Sequence, residues 1–105
     1  MSSIYDFRGK AAAAVVSGRR GGISTAFDCL NKYFMITSMQ IVGSQYWNQV
    51  HGYTPEDVRK DEEGMQTMRT LGKNMAWLLH SIAAGESAGV SKPSYEEQIY
   101  TDFIR

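Results

Sequence analysis

The sequence predicts an α/β architecture in the order strand–helix–strand–helix, and three observations carry that reading. First, "AAAAVV" at 11–16 is a short apolar run bounded by polar or turn residues and stopped by Gly18. A strand buried on both faces of a parallel sheet reads this way. Second, Phe27, Leu30, Phe34 and Thr37 recur at helical spacing directly after it. Third, a second apolar run, "MQIVGS" at 39–44, is followed by a longer helical stripe. Such an order makes a right-handed crossover between parallel strands. Two strands are too few to cover a parallel sheet on both faces, so further chain or another copy must complete it.

Each element has its own signals. The first helix is expected from Ser24 or Thr25 to about Ser38, with Thr25 as N-cap and Asp28 three residues on in a variant of the capping box. The second strand ends at Gly43. "YWNQVHGYTP" (46–55) has no clear period and reads as an aromatic loop. Thr54-Pro55-Glu56-Asp57 then starts a short helix, with Thr as cap, Pro at the first position and Asp at the third. From Asp61, the residues Met65, Met68, Leu71, Met75, Leu78, Leu79 and Ile82 keep one helix face apolar, and Gly85 is the expected stop. Gly64 and Gly72 each weaken that helix by about 1 kcal/mol relative to Ala, which makes sense where another element packs closely. Residues 86–105 read as an extended tail, and no internal repeat is present.

Composition narrows the function classes. With 105 residues the chain is one domain, and 43% hydrophobic residues suit a folded one. Eleven basic residues offset eleven acidic ones, so there is no electrostatic case for nucleic-acid binding. No apolar run approaches the roughly 20 residues of a membrane span, and "MSSIYDFRGK" has no signal core; a cytoplasmic protein without membrane contact is expected. Cys29 is the single cysteine, which excludes an internal disulfide and a multi-thiolate cluster within this chain.

Four ordered blocks carry a resemblance: "GKAAAAVVSGRRGGISTAFDCLNKYF", "MQIVGSQYWNQVHG", "DEEGMQTMRTLGKNMAWLL" and the terminal "YTDFIR". Together, from Phe7 to Arg105, they resemble the NADPH-dependent FMN reductases, and within them the iron–sulfur flavoprotein-like branch of flavodoxin-fold proteins. The resemblance covers only the C-terminal half of such a protein. It implies the fourth and fifth strands of a flavodoxin-like, doubly wound parallel sheet, in a single truncated domain spanning 1–105. The first three strands, the Ser/Thr-rich loop for the FMN phosphate and any cluster cysteines belong to the other half. The cofactor implied is FMN, with NADPH or NADH as reductant.

The candidate cofactor site is the loop Ser17, Gly18, Arg19, Arg20, Gly21 and Gly22. It lies at a strand's carboxyl end, where open α/β sheets bind ligands. Its glycines let backbone N–H groups approach a ligand, and the following helix N-terminus favours negative charge. The bland alternative is a solvated basic turn, since the spacing matches neither the dinucleotide nor the P-loop fingerprint. Under the resemblance these amides face the flavin ring, and Arg19 or Arg20 stabilises the anionic reduced flavin or binds a nicotinamide-cofactor phosphate. Tyr46 and Trp47, with Asn48 and His51, either wall the flavin pocket or serve as packing and subunit-contact residues; aromatic composition favours the second. Cys29 is expected in the core, His80 near a helix C-terminus, the methionines in core or interface, and Asp61-Glu62-Glu63 at a helix start on dipole grounds.

The functional expectation is part of an FMN-dependent NAD(P)H oxidoreductase of the flavin or quinone reductase type, incomplete alone and needing no catalytic side chain, because the cofactor carries the chemistry. Two other readings stand beside it. One is a non-catalytic α/β module that self-associates as a dimer or higher homo-oligomer; the other is a C-terminal subunit that pairs with a separately encoded N-terminal half.

Overall fold

The computed structural model describes residues 7–18 and 23–101. Its elements are β1 (Ala11–Ala12), β2 (Val16–Gly18), α1 (Ile23–Ile36), β3 (Gln40–Ile41), β4 (Gln49–His51), α2 (Pro55–Lys60) and α3 (Glu62–Ser87). β1 pairs with β3 and β2 with β4, both parallel. The chain is therefore a mixed α/β protein with short parallel strands joined through helices, compatible with a flavodoxin-like fold.

The single strand expected at 11–16 is two short ones with different partners. β1 takes Gln40 and Ile41 as neighbours; residues 13–15 follow without pairing, and β2 takes Gln49 to His51. The strand expected at 39–44 is correspondingly short, because after Val42 donates to Ala12 at 2.8 Å the chain turns away. The missed strand is β4, inside the stretch read as an aromatic loop. Its three residues, Gln-Val-His, carry too little alternation to be seen, and backbone pairing to β2 creates it.

Local chemistry explains the helix ends. α2 starts as the sequence predicts. Thr54 Oγ1 accepts from the Asp57 N–H and Asp57 Oδ2 accepts from the Thr54 N–H, both at 3.3 Å, a complete capping box after which Pro55 opens the helix. α3 is capped by Asp61, whose Oδ1 accepts from the Gly64 N–H at 3.0 Å. A Cβ on Gly64 would collide with the Asp61 carboxylate, so this glycine is required by a close approach. A Cβ at Gly72 would meet no atom of another element within 4 Å among the described residues, so the close packing expected there does not occur.

Both long helices close through the same motif. At the end of α3, Val90 N–H donates to Gly85 at 2.9 Å and Gly89 N–H to Glu86 at 3.1 Å, with Gly89 at φ +94°. Gly85 is thus inside the helix and Gly89 is the stop, which also moves Glu86 and Ser87 out of the expected tail. His80 consequently lies well before the last turn and is exposed. At the end of α1, Met39 donates to Phe34 and Ser38 to Met35, each at 3.1 Å, with Ser38 in the left-handed region at φ 60°. Thr25 lies inside α1 rather than at its cap, because the helix already includes Ile23 and Ser24.

The buried apolar set is small: Ala12, Ala14, Val42, Val50 and Leu71. Thr67, Asn48 and Gln49 are buried with it. α1 turns Phe27, Asn31 and Phe34 inward to half-burial, while Leu30, Tyr33, Met35 and Ile36 are exposed. Cys29 is exposed too, contrary to its expected place in the core, because it projects from a helix with only one covered face. On α3, Met65, Met68, Met75, Leu78 and Ile82 are half-buried around Leu71, and Leu79 is exposed. Residues 90–101 have no regular structure, yet Tyr95 places its ring 4.7 Å from the Arg8 guanidinium, tying the tail to the turn at 7–9.

Candidate functional site

The register between β2 and β4 decides which candidate residues meet. Val16 stands opposite Gln49, Ser17 opposite Val50 and Gly18 opposite His51, and the Gly52 N–H continues the pairing to the Gly18 carbonyl at 3.1 Å. Ser17 and Gly18 therefore end β2 directly beside the end of β4. Arg19, Arg20, Gly21 and Gly22 lie outside the described residues. Gly52 makes the junction possible: at φ +155° its Cβ position is 2.6 Å from the Val58 backbone nitrogen, so only glycine lets α2 pack against the strand end.

His51 is held in place by Asp61. The His51 N–H donates to Asp61 Oδ2 at 2.9 Å, and the imidazole Nδ1 is 3.6 Å from the same oxygen. The backbone N–H groups of Gly64 and then His51 stabilise the Asp61 carboxylate and hold its pKa below the ordinary value, against an opposing contribution from burial. A cavity of about 250 Å³ opens here, lined by Tyr46, Gln49, His51, Asp61, Glu63, Gly64 and Thr67.

Tyr46 and Trp47 follow β3 and precede β4. Their rings are 5.5 Å apart, and Trp47 is 6.5 Å from Phe27 of α1. Both remain more than half exposed, at 59% and 55%. Tyr46 shares the cavity with His51, whereas Trp47 turns to α1. Asn48 is buried, and its Oδ1 accepts from the Ser44 hydroxyl at 2.6 Å while its carbonyl accepts from the Val16 N–H at 3.0 Å. That side chain is a strut of the loop.

Sequence reasoning missed the polar residues that fix this loop. Gln49 Nε2 donates to Ser24 Oγ at 2.7 Å, joining β4 to the first turn of α1. Gln45 donates to Gln66 and accepts from Thr70, and Asn74 Nδ2 donates to the Gly43 carbonyl at 2.8 Å. Thr67, 1% exposed, donates to the Glu63 carbonyl at 2.9 Å within its own helix. A run of Gln, Asn and Thr residues 21 to 31 positions apart has no sequence signature, since only the fold makes them neighbours.

These residues fit one side of a flavin. Two strand ends, an exposed aromatic pair and the amide of Gln49 suit a flat, polar-edged ring. They do not fit its phosphate: the charged side chains lining the cavity beside the strand ends are Asp61 and Glu63 among the described residues, and these repel an anion. No group of three or more potential metal ligands occurs among the described residues. Nor is any described helix long and apolar enough to cross a membrane.

Comparison with known proteins adds a relative. The chain is 34% identical over 85 residues to an iron-sulfur flavoprotein of Methanocaldococcus jannaschii. It is related to a flavoprotein. The match takes in 74% of this chain and 44% of the relative, so the chain spans less than half of that protein's length. No family model and no solved structure matches.

Proposed function

We propose that the chain forms part of an FMN-dependent oxidoreductase supplied with electrons by NADH or NADPH, and that it holds the ring side of the flavin. The observation that carries this reading is the β2–β4 register. It sets Ser17 and Gly18 against Val50 and His51 at adjacent carboxyl ends, where parallel sheets keep their ligands. The flavoprotein relative supports it. When bound, FMN supplies the electron transfer. The chain's own part is to orient the ring with backbone groups near Gly18, flank it with Tyr46 and Trp47, and balance its reduced form with Arg19 or Arg20. The phosphate is held by a segment other than these residues, matching the part of the relative that the chain does not span.

The test is a flavin-fluorescence titration of the purified chain at tens of micromolar, alone and mixed with the remaining segment of the Methanocaldococcus relative. Quenching is expected in the mixture, with the Arg19→Ala/Arg20→Ala double variant binding about tenfold more weakly. An unchanged flavin signal in both samples would overturn the reading.

A further inference from the structure

The backbone of His51 serves the fold, and its imidazole is left over. Asp61 spends its carboxylate on main-chain groups: Oδ1 accepts from the Gly64 N–H at 3.0 Å to cap α3, and Oδ2 accepts from the His51 N–H at 2.9 Å. Any residue but proline at position 51 supplies that second N–H. The ring is half exposed, and among the described residues its polar partner is Asp61 Oδ2, 3.6 Å from Nδ1. With Nδ1 turned to a carboxylate, Nε2 on the other side of the ring is left for chemistry. The carboxylate stays charged, because the N–H groups of Gly64 and then His51 hold its pKa below the ordinary value. The other titratable groups lining the cavity are Tyr46, before β4, and Glu63, on α3. Asp57 of α2 is engaged with Thr54, and β2 presents Gly18 opposite His51.

A carboxylate-held histidine thus forms the last residue of β4, at the strand ends that the proposed function gives to the flavin ring. Reducing that ring by two electrons takes a hydride and a further proton. The cofactors carry the electrons, but a neighbouring group must hand over the proton. We propose that His51, held by Asp61, is that proton donor; the inference rests on the flavin reading above. The hydride leaves a reduced nicotinamide, which is oxidised, and its electron pair goes to the ring. The imidazolium Nε2–H bond breaks, the proton passes to the ring, and neutral imidazole remains. Water on the open side of His51 returns a proton, so each turnover consumes one hydride and one proton. Histidine suits the task, since its charge changes between about pH 5 and 8, where a donor is both protonated and able to release.

The test uses the full chain in the mixture described above, with FMN and with NADH or NADPH as reductant. In NMR spectra of the wild-type chain, the His51 ring signals are expected to shift when FMN is added. Those of His80, exposed on α3, should stay in place. In stopped flow, bleaching of the flavin by the reductant should slow as pH rises from about 5 to 8. His51→Gln changes a half-exposed side chain and keeps the backbone N–H, so flavin fluorescence should still be quenched. Bleaching should be about a hundredfold slower, with a flat pH profile and partial rescue by free imidazole. A His51→Gln variant that binds flavin and keeps the wild-type pH profile, at whatever rate, would overturn the inference. So would His51 signals that do not move when flavin fluorescence is quenched, and in both cases the flavin reading stands. No quenching in the wild-type mixture would remove that reading and this inference with it.

Discussion

Two flanks of this molecule are finished to different degrees. At the corner of β4, α2 and α3 the capping groups have local partners: Thr54 and Asp57 cap each other, Asp61 caps α3 and holds His51, and Thr67 is buried with its hydroxyl bonded. On the flank of β1, β2 and α1 one edge has no paired strand among the described residues, and four large apolar side chains of the helix face solvent. Short-range capping completes the first flank within its own sequence. The second leaves large apolar side chains of α1 in solvent, where they add nothing to a stabilisation that depends on buried area.

Substitutions sharpen that contrast. The largest effect is expected from Gly52→Ala, which forces a Cβ to within 2.6 Å of the Val58 nitrogen at a positive φ. A loss of about 3 kcal/mol in chemical denaturation is expected, and a loss under 1 kcal/mol would mean the corner is looser than its contacts indicate. Leu71→Ala empties the most buried large side chain of α3 and should cost about 2–3 kcal/mol, near the lower end for a core truncation because the core is small.

Asp61→Ala removes the α3 cap and the bond to His51, for about 1–2 kcal/mol. The native pKa of Asp61 is lowered, so its contribution is fully present above the unfolded carboxylate value of about 3.9 and is lost as pH falls through the lower native value. Wild type and Asp61→Ala should therefore converge in stability in acid; parallel stability–pH curves would exclude the linkage.

The effects become smaller, or reverse, on the unfinished flank. Ser38 pays for a left-handed conformation at the end of α1, so Ser38→Gly should raise stability by about 1 kcal/mol; a destabilised variant would show that the side chain matters more than the strain. Ile36 is 80% exposed, and Ile36→Ser should change thermal stability by no more than about 0.5 kcal/mol. A larger loss would place Ile36 in a contact between chains.

The aromatic loop shows where sequence reading ends. Thr54-Pro55-Glu56-Asp57 announces a helix start because its cap is made by residues three apart, and the amphipathic stripe around Leu71 follows from helical spacing alone. β4 is different: Gln49, Val50 and His51 form a strand only because Val16–Gly18 lies beside them. Cys29, an apolar residue in a helix, is exposed because it lies on the face opposite Phe27, Asn31 and Phe34. Of the candidate site, the strand-end position of Ser17 and Gly18 was legible. The turning of Trp47 to Phe27 and the locking of Asn48 to Ser44 were not, since both rest on how a loop folds back.

By itself the sequence determined the strand–helix order, the Thr54 cap and the apolar face of α3. Each rests on interactions within a few residues. Only the tertiary structure decided the division of the first strand between two partners, the β2–β4 register and the grip of Asp61 on His51. The strand pairings depend on backbone hydrogen bonds between segments more than 25 residues apart, and the bond from His51 to Asp61 on a side chain ten residues away; no local pattern encodes those partners.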